Sequence, residues 1–152
     1  DIDPQVRISR LGGDGHWSYL GTDILSVSSN RATMNLDSFT LHTPESEFYR
    51  VVRHETGHTM GFPHEHMRRE IIRKIDINKA IQFYADTQGW TKEEVYSQVL
   101  TPLEDTSIFG TANADSESIM CYQIPETITD DNNPIIGGID INEQDYDFAA
   151  KI

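Results

Sequence analysis

Apolar and polar positions alternate in Val6-Arg7-Ile8-Ser9, the period of two that marks a strand with one buried face. Ala32-Thr33-Met34-Asn35-Leu36 predicts a second short strand. Between them, Gly12-Gly13-Asp14-Gly15 breaks the chain into a loop, and Trp17-Ser18-Tyr19-Leu20-Gly21 is an aromatic stretch expected to pack. From residue 43 the pattern becomes helical. Thr43-Pro44-Glu45 combines a hydroxyl cap, a first-turn proline and an acid. The helix it starts should run through Glu47-Phe48-Tyr49-Arg50-Val51-Val52 into His54 and His58. A further helix is expected over 78–86, and Thr91-Lys92-Glu93-Glu94 predicts a capping box for one through Val95 and Val99. Residues 104–118 and 125–140 are rich in Asp, Asn, Thr, Gly and Pro and predict loops; Asn142 is placed to cap a last helix over 143–150.

A chain of 152 residues without internal repeats or a linker suits one domain with a single core. Its net charge of −13, from 12 Lys+Arg against 25 Asp+Glu, repels polyanions, so neither nucleic acid nor an anionic membrane is expected as a partner. No apolar run is long enough to span a bilayer, and Asp1-Ile2-Asp3-Pro4 does not read as a signal peptide. Cys121 is the only cysteine, so an intrachain disulfide is impossible.

The chemistry concentrates in His54-Glu55-Thr56-Gly57-His58-Thr59-Met60-Gly61-Phe62-Pro63-His64. On a helix His54 and His58 stand about 40° apart around the axis and about 6 Å apart along it, so both imidazoles reach one ion. Glu55 projects about 80° from their mean direction, where it meets a metal-bound water better than the metal. This spacing is a recognised zinc-hydrolase arrangement with the glutamate as general base. On a continued helix His64 would lie about 9 Å beyond His58 and off the metal face. Gly61 can take the left-handed conformation that ends a helix, and Pro63 resists its continuation, so the chain can turn His64 back under the ion. His66 has a weaker claim, because three imidazoles and a water complete a tetrahedron. His16 and His42 stand alone and are expected to be surface or satisfied core residues. Asp130-Asp131-Asn132-Asn133 lacks an EF-hand pattern and is expected to be a solvated loop.

His54-Glu55-x-x-His58-x-x-Gly61-x-x-His64 is similar to the metzincin zinc signature. Ser118-Ile119-Met120-Cys121-Tyr122 resembles the methionine turn, which usually reads Ser-Ile-Met-His-Tyr in astacins. Glu65 directly after the third histidine, then His66-Met67-Arg68, also looks like that family, as does Gly15-His16-Trp17-Ser18-Tyr19-Leu20-Gly21. These segments span most of the chain in family order. The resemblance implies an α+β, metzincin (zincin-like) fold over 1–152, with a small mixed sheet, a zinc-binding helix and a methionine turn. It implies one zinc ion on His54, His58 and His64, Glu55 as general base, and Tyr122 as the tyrosine that helps stabilise the transition state. Met120 would pack beneath the site, and the strand over 32–36 would be the edge that takes an extended peptide. The implied protein is a secreted, monomeric endopeptidase that cleaves protein or peptide substrates, without disulfides.

Departures are specific. His16 stands where the family has cysteine, and Cys121 where it has a histidine that is not a ligand. Arg69-Glu70-Ile71-Ile72 replaces an acidic run. Only fourteen residues precede Gly15, so the family's first helix and strands are expected to be lacking. Two other readings are a zinc-binding peptide-recognition module, or fragment, without turnover and a hydrolase of non-protein amides.

Overall fold

The computed structural model describes residues 3–103 and 111–151. The chain divides after Pro63 into two compact units, Asp1–Pro63 and His64–Ile152.

The first unit holds a three-stranded sheet of β1 (Ile8–Ser9), β2 (Trp17–Ser18) and β3 (Met34–Asn35), in the order β1-β3-β2. β1 pairs parallel to β3, and β2 pairs antiparallel to it. The strand expected at an edge is therefore the central one. Its period-two pattern reports which face is buried, not which strands flank it. The missing neighbour is β2, inside the aromatic stretch for which packing alone was expected. Asn35, fully buried at the sheet centre, explains how so short a sheet holds its loop. Its Oδ1 accepts from Ser9 Oγ at 2.6 Å and Leu11 N at 2.8 Å, while Nδ2 donates to the carbonyls of Leu11 and Gly15 at 3.0 and 2.7 Å. A buried amide with both ends satisfied costs little and fixes the loop between β1 and β2.

The long helix α1 spans Glu45–Thr59. Its expected hydroxyl cap is absent: Pro44 occupies the cap position, and Thr43 Oγ1 instead accepts from Thr40 N at 3.0 Å. Phe48, Val51 and Val52 pack with Met34, Leu36 and Phe39 into this unit's core.

The second unit holds α2 (Arg69–Ile72), α3 (Ile77–Gln88), α4 (Lys92–Val95) and α5 (Glu143–Ala149). α3 is capped by Asp76, whose side chain accepts from Asn78 N and Lys79 N, and it stops at left-handed Gly89. The capping box of Thr91 and Glu94 forms, and α4 runs on into a π-helical turn, Tyr96–Leu100. Asn142 and Asp145 form a second capping box at α5.

The expected loop at 125–140 is only partly irregular in consequence. It contains a 3-10 turn, Glu126–Ile128, and bridges joining Ile75 to Thr129 and Ile124 to Ile135. Ile124, Ile128 and Ile135 are buried with Ile71, Ile75, Tyr84 and Val99. Polar residues around these isoleucines mask a core contribution that no periodicity reveals. Of the loop expected at 104–118, residues 104–110 lie outside the described residues. Among the described residues no helix is long and apolar enough to cross a membrane.

Candidate metal centre

The buried positions of α1 are Val51, His54, Glu55, Gly57 and His58. Positions 51, 54, 55 and 58 follow helical spacing, so the stripe that buries Val51 also carries His54 and His58 inward. Their rings lie 4.7 Å apart and nearly perpendicular, at 87°. His58 Nδ1 is 2.8 Å from the Phe62 carbonyl oxygen. That oxygen can only accept, so Nδ1 carries the proton and Nε2 keeps the lone pair that a metal requires. Burial first, and the neighbouring His54 second, push the His58 pKa down to about 4. The imidazole is thus neutral, as ligation demands.

The helix stop is a Schellman motif. Gly61 N donates to His58 O at 2.8 Å and Phe62 N to Gly57 O at 3.0 Å, with Gly61 at φ 99°. Gly21, which ends the aromatic stretch after β2, lies against this stop, where an added Cβ would come within 3.2 Å of Gly61 Cα. Ser18 Oγ and Thr59 Oγ1 meet at 3.0 Å beside it. The aromatic motif and the zinc-type motif therefore meet at a pair of glycines, a link that spacing along the chain does not reveal. Gly61→Ala is expected to lower stability by about 1–2 kcal/mol, because the left-handed backbone costs any other residue that much. A lower thermal midpoint with weakened metal retention checks it; a midpoint equal to the parent's contradicts it.

His64 follows the helix stop in extended conformation, at φ −64° and ψ 124°. The ligating atoms of His54, His58 and His64 all lie within 4.8 Å of one another. No other group of three or more His, Cys, Asp or Glu among the described residues is so arranged. His16 and His42 stay apart. His16 Nδ1 accepts from Asp37 N at 2.9 Å, and His42 is exposed. Asp130-Asp131-Asn132-Asn133 is an exposed turn, with Asp131 Oδ1 accepting from Asn133 N.

Glu55 is 4% exposed, and its Oε2 is the one buried side-chain N or O atom among the described residues that has no hydrogen-bond partner. Burial pushes its pKa up to about 7, against the opposing charge of Arg50. An orphaned carboxylate oxygen one residue from a metal-type histidine fits a site completed by an ion and a water. Three imidazoles are also the donor set of catalytic zinc.

In the second unit the turn at Ser118-Ile119-Met120 is tied down by α5. Asp145 accepts from Ser118 Oγ at 2.6 Å and Ile119 N at 3.0 Å while capping its own helix. Met120 O accepts from Glu65 N at 2.9 Å. Gly138 passes so close that a Cβ there would lie 2.3 Å from Ser118 O. Glu65 Oε1 accepts from Asp115 N at 2.9 Å and lies 3.8 Å from the Arg68 guanidinium. Burial drives the Cys121 thiol up to about 12, which keeps it protonated and unsuited to ligation. The Tyr122 ring lies 4.4 Å from that of His64.

The chain is similar to myroilysin in two solved structures. In one, 34% of residues are identical, the TM-score is 0.93, and the match covers 99% of this chain and 73% of the other. In the second, a crystal structure, the values are 32% and 0.66, covering 99% of this chain and 66% of the other. These likenesses agree with the α+β, metzincin-like fold. No protein-family model matches the chain. No curated protein matches it either.

Proposed function

The chain belongs to the family of myroilysin, and on that footing we propose that it is a zinc-dependent endopeptidase of astacin-like chemistry, acting on extended protein or peptide segments. The kinship and the three-histidine cluster support a metallopeptidase-type function. The observation that carries the finer reading is the clustering of His54, His58 and His64 with the unpartnered Oε2 of Glu55 on the same helix.

His54, His58 and His64 would hold the ion. Zinc, when bound, supplies a Lewis acid that acidifies water and polarises a peptide carbonyl. Glu55 takes a proton from the attacking water at Oε2 and returns it to the leaving amine nitrogen. Tyr122 directs its hydroxyl to the oxygen that gains charge in the transition state. The substrate extends the sheet at β2, an outer strand linked to the last turn of α1 through Ser18 and Thr59. Residues 1–152 supply the catalytic domain, which acts as a monomer outside the cell.

Digestion of unfolded casein tests the reading. Cleavage is expected, with loss after treatment with a zinc chelator and recovery on adding back one equivalent of zinc. Peptide that binds and stays intact would contradict it in favour of a recognition module. Tyr122→Phe is expected to retain zinc and lose about a hundredfold in kcat, the scale for one oxyanion donor. Parent-like kcat would reduce Tyr122 to a packing residue.

A further inference from the structure

His66 lies two residues past His64, outside the metal cluster, and is fully buried. Its Nε2 is 2.8 Å from the Gln98 carbonyl oxygen, and its Nδ1 accepts from Tyr122 N–H at 3.3 Å. The carbonyl can only accept, so Nε2 bears the proton and Nδ1 the lone pair. Gln98 belongs to the π-helical turn Tyr96–Leu100, at the end of a helical segment where carbonyls run out of following N–H donors. The His66 ring stacks on Tyr122 with centroids 4.2 Å apart and planes 17° apart. His64 completes the group, 4.9 Å from His66 and 4.4 Å from Tyr122.

A hydrophobic ring would fill this space without the cost of burying two polar nitrogens. The imidazole instead joins two main-chain segments far apart in sequence and faces the Tyr122 ring. We infer that His66 is a positioning residue for Tyr122, setting its main-chain N–H and ring plane and so the direction of its phenol hydroxyl. The inference rests on the role proposed for Tyr122. Misplacing a reacting group by about 1 Å can cost a hundredfold in rate, so such an anchor has a kinetic consequence.

Three substitutions separate the contacts. His66→Asn keeps an oxygen where Nδ1 lies and can still accept from Tyr122 N–H. His66→Gln keeps an amide where Nε2 lies and can still donate to Gln98. His66→Phe keeps the ring alone. In the zinc-loaded protein, exchange of the Tyr122 amide hydrogen is expected to quicken about tenfold in the Gln and Phe variants and to stay near the parent rate in the Asn variant. On peptide, kcat should fall about tenfold in Gln and Phe with KM and zinc content unchanged, and Asn should restore most of it. On a Tyr122→Phe background, His66→Phe should cost less than about twofold further, because its effect passes through the phenol.

Equal losses in all three variants, or unchanged Tyr122 exchange, would overturn the inference. So would a His66→Phe loss that multiplies in full on the Tyr122→Phe background. The Asn and Gln pair decides the matter even where the Phe variant does not fold. Should Tyr122→Phe alone match the parent, the role of Tyr122 falls and this inference with it. A slow Tyr122→Phe with independent His66 losses defeats this inference alone.

Discussion

Glu55→Gln is expected to leave zinc bound and to slow cleavage of an unfolded protein by about a thousandfold or more. The substitution preserves volume at a helix position that is 4% exposed, so packing on α1 is undisturbed. It removes the capacity to take a proton, putting an amide in place of the carboxyl group. Glu55 is suited to that task because burial raises its pKa to about 7, and because Oε2 has no competing partner. A neutral amide costs less to bury than a carboxylate, so the thermal midpoint should not fall. Metal content, midpoint and turnover measured together separate loss of chemistry from loss of structure. Undiminished turnover would remove Glu55 from the mechanism.

His64→Ala is expected to cost more in metal affinity than the hundredfold or so typical of residues behind the ligands. Two imidazoles from one helix turn leave an ion largely open to water and to competing chelators. The stop that precedes His64 is built from backbone bonds of Gly61 and Phe62, so α1 should keep its helicity. Zinc retained through dialysis against a moderate chelator, at the parent's stoichiometry, would contradict the ligand set. Loss of zinc with unchanged circular dichroism supports it.

The three-histidine cluster was legible in the sequence because its parts are local. The spacing of His54 and His58 is helix geometry, and Gly61 with Pro63 is a helix stop. Both depend on neighbours a few residues away, as do the capping boxes at Thr91 and Asn142. What escaped depends on partners far along the chain. Alternation in 32–36 marks a strand, but the placing of β3 between β1 and β2 is a pairing choice. Thr43 has the chemistry of a cap, yet its hydroxyl serves Thr40 instead. Ile124, Ile128 and Ile135 sit among turn-forming residues and become core through bridges to other segments. The approach of Gly21 to Gly61, the hold of Asp145 on the methionine turn, and the span of His66 from Gln98 to Tyr122 are all long-range. Of these, the Gly21 link had a visible trace in the aromatic motif, whose closing glycine has φ 49°.

The proposed chemistry requires His54, His58 and His64 to hold one ion beside Glu55. Zinc-edge anomalous diffraction from the purified protein, with metal analysis of the same sample, tests it most directly. The expected result is one zinc per chain with the three histidine nitrogens at about 2.0–2.1 Å. An ion located elsewhere, or a protein that binds no zinc after saturation, would contradict it.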